Sequence, residues 1–222
     1  MRSILMLLTA VLLTQAPAPA ASASRPPVTQ VVKKMQTFYN KARDLKGKFK
    51  QVYTDSLYSR ERVSYGYLYV KKPGMMRWNY ASPERKAFIA DGKQLWVWEP
   101  DDQQAFRNPL STDTLSTGLT FLLGKGDLST EFDITYADEK LGGPDALVLK
   151  LTPRKPTGQY QHLLLAVNPE DHAVGESMVV GKHNTNHFVF TTLQINTKIS
   201  DSRFRFNPPA GTRVIDGSKI KR

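Results

Sequence analysis

The chain is 222 residues long, has no cysteine, and carries 31 lysines and arginines against 20 aspartates and glutamates, a formal net charge of +11. Without cysteine there is neither a disulfide framework nor the lipidated cysteine that anchors a bacterial lipoprotein behind its signal. So basic a balance favours anionic partners, whether nucleic acid, acidic protein or phospholipid headgroups, but no nucleic-acid recognition motif is present.

Met1 and Arg2 supply a short positive region and residues 4–13 an apolar one that is too short to span a bilayer. Residues 14–24 are rich in small residues and proline, and Ala21-Ser22-Ala23 fits the small-x-small rule for signal peptidase. This order predicts a secretory signal over residues 1–23 and one exported domain over residues 24–222; cuts after Ala18 or Ala20 satisfy the same rule. Export argues against nucleic acid as the anionic partner.

Next, Val28, Val31, Val32, Met35, Phe38, Tyr39, Ala42 and Leu45 recur at helical spacing. They predict an amphipathic helix, entered through Pro26-Pro27 and capped by Thr29, whose stripe packs on a sheet. From Gly47 the period becomes two. Phe49, Gln51 and Tyr53 alternate along one strand, and Val63, Tyr65, Tyr67 and Tyr69 along the next. The tyrosines serve either as plain strand formers or as a stacking platform.

After Lys72-Pro73-Gly74, the residues Met76, Trp78 and Tyr80 share one face of a strand and Met75, Arg77 and Asn79 the other. That apolar face either packs into a filled core or walls a cavity. Beyond Asp91-Gly92-Lys93, Trp96 and Trp98 share a face opposite Leu95 and Val97. Leu115, Leu119, Leu122 and Leu123 then return to helical spacing, and Gly124-Lys125-Gly126 stops the segment. Strands follow at residues 132–136, 146–152, 161–167, 174–180 and 187–195, with a closing piece at 203–206. The count is about ten or eleven sequential antiparallel strands, with no βαβ rhythm.

Catalytic signals are sparse. His183 and His187 flank a tight turn, but two imidazoles without a third donor make a poor metal site, and no cofactor fingerprint occurs. A nearly closed sheet of this size encloses more space than its own side chains fill, so helices or a ligand must occupy it. On these grounds an apolar-ligand carrier ranks first, a protein-binding or sensor module second and an enzyme third.

Several stretches, in this order, carry a resemblance. They are Phe49-x-Gln51; Gly66-x-Leu68-x-Val70-Lys-Lys-Pro73-Gly74-Met-Met-Arg77-Trp78-x-Tyr80-x-x-Pro83; Asp91-Gly92-Lys93-x-Leu95-Trp96-x-Trp98-x-Pro100; Phe121-Leu122-Leu123-Gly124; and Phe204-x-Phe206-x-Pro208-Pro209-x-Gly211-x-x-Val214. Together they resemble the LolA family of periplasmic lipoprotein carriers across nearly the whole exported part. The resemblance implies a mainly β fold, an unclosed antiparallel β-barrel with an α-helical lid over a hydrophobic cavity.

It also implies a monomeric, non-enzymatic carrier without cofactor or metal. Its cargo is the acyl chains of lipoproteins released by an inner-membrane ABC transporter and passed to an outer-membrane lipoprotein receptor; a related module that senses lipoproteins or carries another lipid is the alternative. Cavity residues are then expected at Met76, Trp78, Tyr80, Trp96, Trp98, Leu119 and Leu122. Lys72 and Leu115 are expected to gate the lid. The family has arginine where Lys72 stands, implicated in holding the lid shut through bonds to its backbone, and usually phenylalanine where Met76 stands.

Overall fold

The computed structural model describes residues 25–110 and 127–219. The expected signal, and the segment carrying Leu115, Leu119 and Leu122, lie outside the described residues.

The apolar stripe after the double proline forms α1, Val28–Lys41, with Val31, Val32, Met35 and Tyr39 buried. It starts one residue before the expected Thr29 cap. Pro27 is the N-cap, and its carbonyl accepts from the Gln30 and Val31 N–H groups at 2.9 and 3.2 Å with no side-chain cap. The helix stops at Lys41, so the expected continuation to Leu45 is corrected. Leu45 belongs to β1, Asp44–Asp55, because its position satisfies both the helical period behind it and the strand period ahead. The buried Asp44 helps hold this strand start in the sheet. Its carboxylate accepts from the Thr197 N–H and hydroxyl and from the Lys198 N–H at 2.7, 3.0 and 3.0 Å.

Five more strands follow as hairpins: β2 Arg60–Lys71, β3 Met75–Ser82, β4 Lys86–Asp91, β5 Gln94–Glu99 and β6 Gln104–Pro109. After the short helix α2, Leu128–Glu131, come β7 Phe132–Tyr136, β8 Leu147–Pro153, β9 His162–Val167, β10 Val174–Val180 and β11 Asn184–Ile195. The expected closing strand at residues 203–206 is instead a 3₁₀ turn, Asp201–Phe204, that buries Phe204. The last strand is β12, Arg213–Asp216, paired parallel to β6.

The described strands form one twelve-stranded sheet in the order β12-β6-β5-β4-β3-β2-β1-β11-β10-β9-β8-β7. Its two edges, β12 and β7, do not meet, so the barrel is unclosed. Two joins depart from the expected sequential pairing. β1 meets β11 at the centre of the sheet, with Gln51 opposite Phe188, and β12 returns to β6 in parallel.

Register assigns the faces. Leu45, Phe49, Leu68, Val70, Met76, Trp78, Ala90 and Leu95 stand on one side with Leu149, Leu151, Leu163 and Leu165, and they form a single core with the buried side of α1. This is the inner face. Phe49 lies over Gly66, where an added Cβ would fall 2.0 Å from the Asn79 carbonyl oxygen and 2.6 Å from the Phe49 ring. On the outer face, residues 196–212 run across β1 to β6 as a strap. Lys71 Nζ donates to the Ile199 carbonyl at 2.7 Å and Arg77 Nη1 to the Arg203 carbonyl at 3.1 Å.

Candidate functional site

Alternation along β3 turns Met76 and Trp78 inward, 3 % and 4 % exposed, with Tyr80 next along the same face. Trp78 packs against Phe49, Phe188 and Phe190, with ring centroids 5.0, 5.2 and 6.4 Å away, and Tyr80 against Phe49 and Phe88 at 5.2 and 6.3 Å. Edge-on and tilted rings at these separations are favourable beyond the area they bury. The result is an aromatic seam spanning β3, β4, β1 and β11. Burial pushes the Tyr80 hydroxyl pKa up to about 12, the neighbouring Trp78 indole offsetting part of the rise. The buried Trp78 N–H meets no acceptor in good hydrogen-bond geometry among the described residues.

One side of the seam is filled by α1. On the other side the inner face opens into a cavity of about 810 Å³ lined by Gln51, Tyr53, Arg60, Arg62, Tyr80 and Phe88, among others. Charge at this mouth is mixed. Arg62 lies 3.4 Å from Glu84, and Lys86 lies 2.5 Å from Glu99. Gln51 Nε2 donates to Asn186 Oδ1 at 2.6 Å across the β1–β11 join.

The three tryptophans do not share a face. Trp96 pairs with Ile89 and Trp98 with Ala87, whereas Phe88 pairs with Trp78. Trp96 and Trp98 therefore stand on the outer face, where the strap covers them and Phe206 lies 5.4 Å from each indole. The Arg107 guanidinium lies 5.9 Å from the Trp96 ring centre and binds Asp216 at 2.9 Å. Sequence reasoning did not single out Phe88, Phe188 and Phe190 as wall residues. For Phe188 and Phe190, the period-two run 187–195 carried the signal, had it been set in register with β1.

Lys72 follows β2 in the turn to β3, partly buried, and its Nζ donates to the Tyr39 carbonyl in the last turn of α1 at 2.5 Å. A cation at a helix C-terminus meets both an orphan carbonyl and the negative end of the helix dipole. Burial lowers the Lys72 pKa from the ordinary lysine value. The Tyr39 hydroxyl accepts from the Val174 N–H at 3.0 Å, tying the same turn of α1 to β10, and burial raises its pKa. Leu115, the other expected gating residue, lies outside the described residues with Leu119 and Leu122.

His187 Nε2 and Glu176 Oε2 lie 2.8 Å apart on the outer face. Among the described residues no three potential ligands are grouped to hold a metal ion, and no helix is long and apolar enough to cross a membrane.

An open antiparallel sheet curled on an amphipathic helix, with an aromatic inner wall beside a wide cavity, has the construction of a β-barrel binding fold. The chain belongs to the LolA family: the family model described as "Outer membrane lipoprotein carrier protein LolA" matches residues 40–207. It is 31% identical over 182 residues to an outer-membrane lipoprotein carrier protein of Alkalilimnicola ehrlichii, covering 81% of this chain and 80% of the relative. It is also 28% identical over 214 residues to the protein of that name from Azotobacter vinelandii, covering 95% and 96%. Among solved structures, an uncharacterized conserved protein from Thermus thermophilus shares the fold with a TM-score of 0.54, at 10% identity over 85% of this chain and 98% of that one.

Proposed function

We propose that this chain is a periplasmic carrier that shields the acyl chains of lipoproteins, taking them from an inner-membrane ABC transporter and delivering them to an outer-membrane receptor. Family membership and the name shared by its relatives support the cargo class. The observation that carries the reading is the continuous apolar inner wall, running from Val70, Met76 and Trp78 through Tyr80 and Phe88 to the open cavity. The apolar and aromatic side chains of this wall suit alkyl groups held out of water.

The driving force is burial, about 0.8 kcal/mol for each methylene removed from water. In the structure α1 occupies the deeper half of the inner face, so cargo and helix compete for the same wall. Loading displaces α1 outward, and return of α1 helps expel the cargo at the receptor. Lys72 is the pin of this competition, holding the last turn of α1 through the Tyr39 carbonyl. Leu115, Leu119 and Leu122 are proposed to complete the cover.

The test is titration of the purified mature protein with a fluorescent fatty-acyl probe, read by probe and tryptophan emission. Saturable binding is expected, with a response that survives Trp96→Phe and Trp98→Phe and disappears in Trp78→Phe. Absence of saturable binding, with tryptophan emission unchanged, would sink the carrier reading.

A further inference from the structure

The outer face of β1 and β2 carries a ladder that the carrier function leaves unused. Lys46 is paired with Tyr69, Lys48 with Tyr67 and Lys50 with Tyr65, all on one side of the sheet. Tyr67 and Tyr65 are 42% and 51% exposed. At its strap end the ladder runs into a cleft of about 460 Å³ lined by Lys46, Tyr69, Arg77, Ser200, Ser202 and Arg203.

Three cations line this cleft, and among the described residues none of them is in an ion pair. Arg77 is held in place by Nε donating to Asn79 Oδ1 and Nη1 to the Arg203 carbonyl, both at 3.1 Å, which leaves other guanidinium donors uncommitted. The Arg203 guanidinium lies 5.0 Å from the Tyr69 ring centre. Burial, and after it the charge of Arg203, depress the Arg77 pKa, so an anion between the two guanidiniums would relieve a repulsion.

The carboxylates bordering the area are already committed. Asp44 serves the backbone of the strap, Asp201 binds Lys71 at 2.5 Å and Glu176 binds His187. Glu61 lies beyond Val63 at the far end of the same face.

We propose that this outer face docks the protein on anionic phospholipid bilayers, with the cleft between Lys46, Arg77 and Arg203 taking a headgroup phosphate. Guanidiniums offer paired donors to phosphate oxygens, Ser200 and Ser202 add hydroxyls, and the lysines supply the longer-range attraction. Exposed tyrosines beside lysines suit the headgroup layer, where an amphipathic ring is at home. The surface lies on the other side of the sheet from the aromatic wall, so a docked molecule keeps its inner face free.

The test is co-sedimentation of cargo-free mature protein with phosphatidylcholine vesicles and with vesicles containing phosphatidylglycerol, over a range of salt. Binding is expected only with phosphatidylglycerol, falling as salt rises, and about fivefold weaker for each charge removed in Lys46→Gln, Arg203→Gln and Arg77→Gln. Lys33→Gln with Lys34→Gln, which removes two charges from the exposed side of α1, should leave binding unchanged. If Arg77→Gln lowers the melting temperature by loosening the strap, Lys46→Gln and Arg203→Gln carry the test.

The proposal is overturned if vesicles do not bind, or if the α1 control weakens binding as much as the cleft variants. It is equally overturned if inorganic phosphate or polyglutamate binds at the cleft while vesicles do not, which would make it a free-anion or acidic-protein site. Acyl-probe binding is measured separately, so failure here leaves the carrier reading intact.

Discussion

Along the inner face of β1 the side chains run Leu45, Gly47, Phe49 and then Gln51, Tyr53, Asp55; opposite them on β2 they run Val70, Leu68, Gly66 and then Ser64, Arg62, Arg60. On β11 the same change separates Ile195, Leu193, Phe190 and Phe188 from Asn186 and Asn184. β1 and β2 switch from apolar to polar at the same level and β11 one inner pair later, and the aromatic seam sits at the switch. The apolar half is covered by α1 and the polar half lines the open cavity. Alternation decides which face a side chain takes, whereas the change of character along that face records what covers it. A wholly apolar inner face would have closed on itself as a core; the polar half keeps one end wet and accessible.

The largest expected effect on this contrast comes from the seam. Phe49 is 2% exposed and touches Trp78, Tyr80 and Phe188. Phe49→Ala should cost about 3 to 5 kcal/mol in denaturant unfolding, because it empties volume over Gly66 that the surrounding sheet cannot collapse to fill. Tyr53→Ala, two positions into the polar half, should cost far less. Equal losses would show that the two halves are a single core.

Lys72 comes next, since it holds α1 in place over the apolar half. Lys72→Leu removes a charge-assisted hydrogen bond worth about 1.5 to 3 kcal/mol at most. The variant should load lipoprotein but pass it to the receptor more slowly, because the α1-docked state has become less favourable. Lys72→Arg should restore transfer, a guanidinium being able to bridge two carbonyls. Unchanged transfer by Lys72→Leu in a purified assay would mean that packing alone seats α1.

The smallest effect is on the outer edge. Asp216 has its pKa lowered to about 2, first by the Ser218 hydroxyl and then by Arg107. Its folded pKa is below the unfolded value, so the stability it lends β12 is present above about pH 4 and fades as pH falls toward 2. Amide protection in β12, taken relative to intrinsic exchange at each pH, should fall over that window while protection in β3, which carries no carboxylate, does not. Parallel changes in both strands would deny the edge any separate behaviour.

The strands and the helix were legible because each keeps its period for several residues, and the inward set Met76, Trp78 and Tyr80 follows from one strand alone. Relations between strands were less so. Trp78, Trp96 and Trp98 all have even numbers, yet Trp78 faces opposite to the other two, because the turn at Asp91-Gly92-Lys93 pairs Ala90 with Leu95. A strand's own parity says nothing of its neighbour's until the turn's register is known. Residues 203–206 read as a strand because Phe204 and Phe206 alternate, but Phe204 is buried in a 3₁₀ turn and Phe206 packs on Trp96 and Trp98. Aromatic alternation there reflects packing onto a sheet, which period alone does not separate from membership in one. The partner of Lys72 was hidden for a related reason: Tyr39 lies 33 residues earlier in the chain, and only the folded sheet brings its carbonyl within reach.

The place of β1 has a bearing on how the chain assembles as it folds. Its hairpin partner β2 follows at once, but its other neighbour, β11, begins only at Asn184. Until then the first six strands make a half-sheet with two unsatisfied borders, β1 lacking β11 and β6 lacking β12. Such borders are templates for pairing with other chains, and non-local pairings form slowly. One C-terminal stretch, from β11 through the strap to β12, closes both.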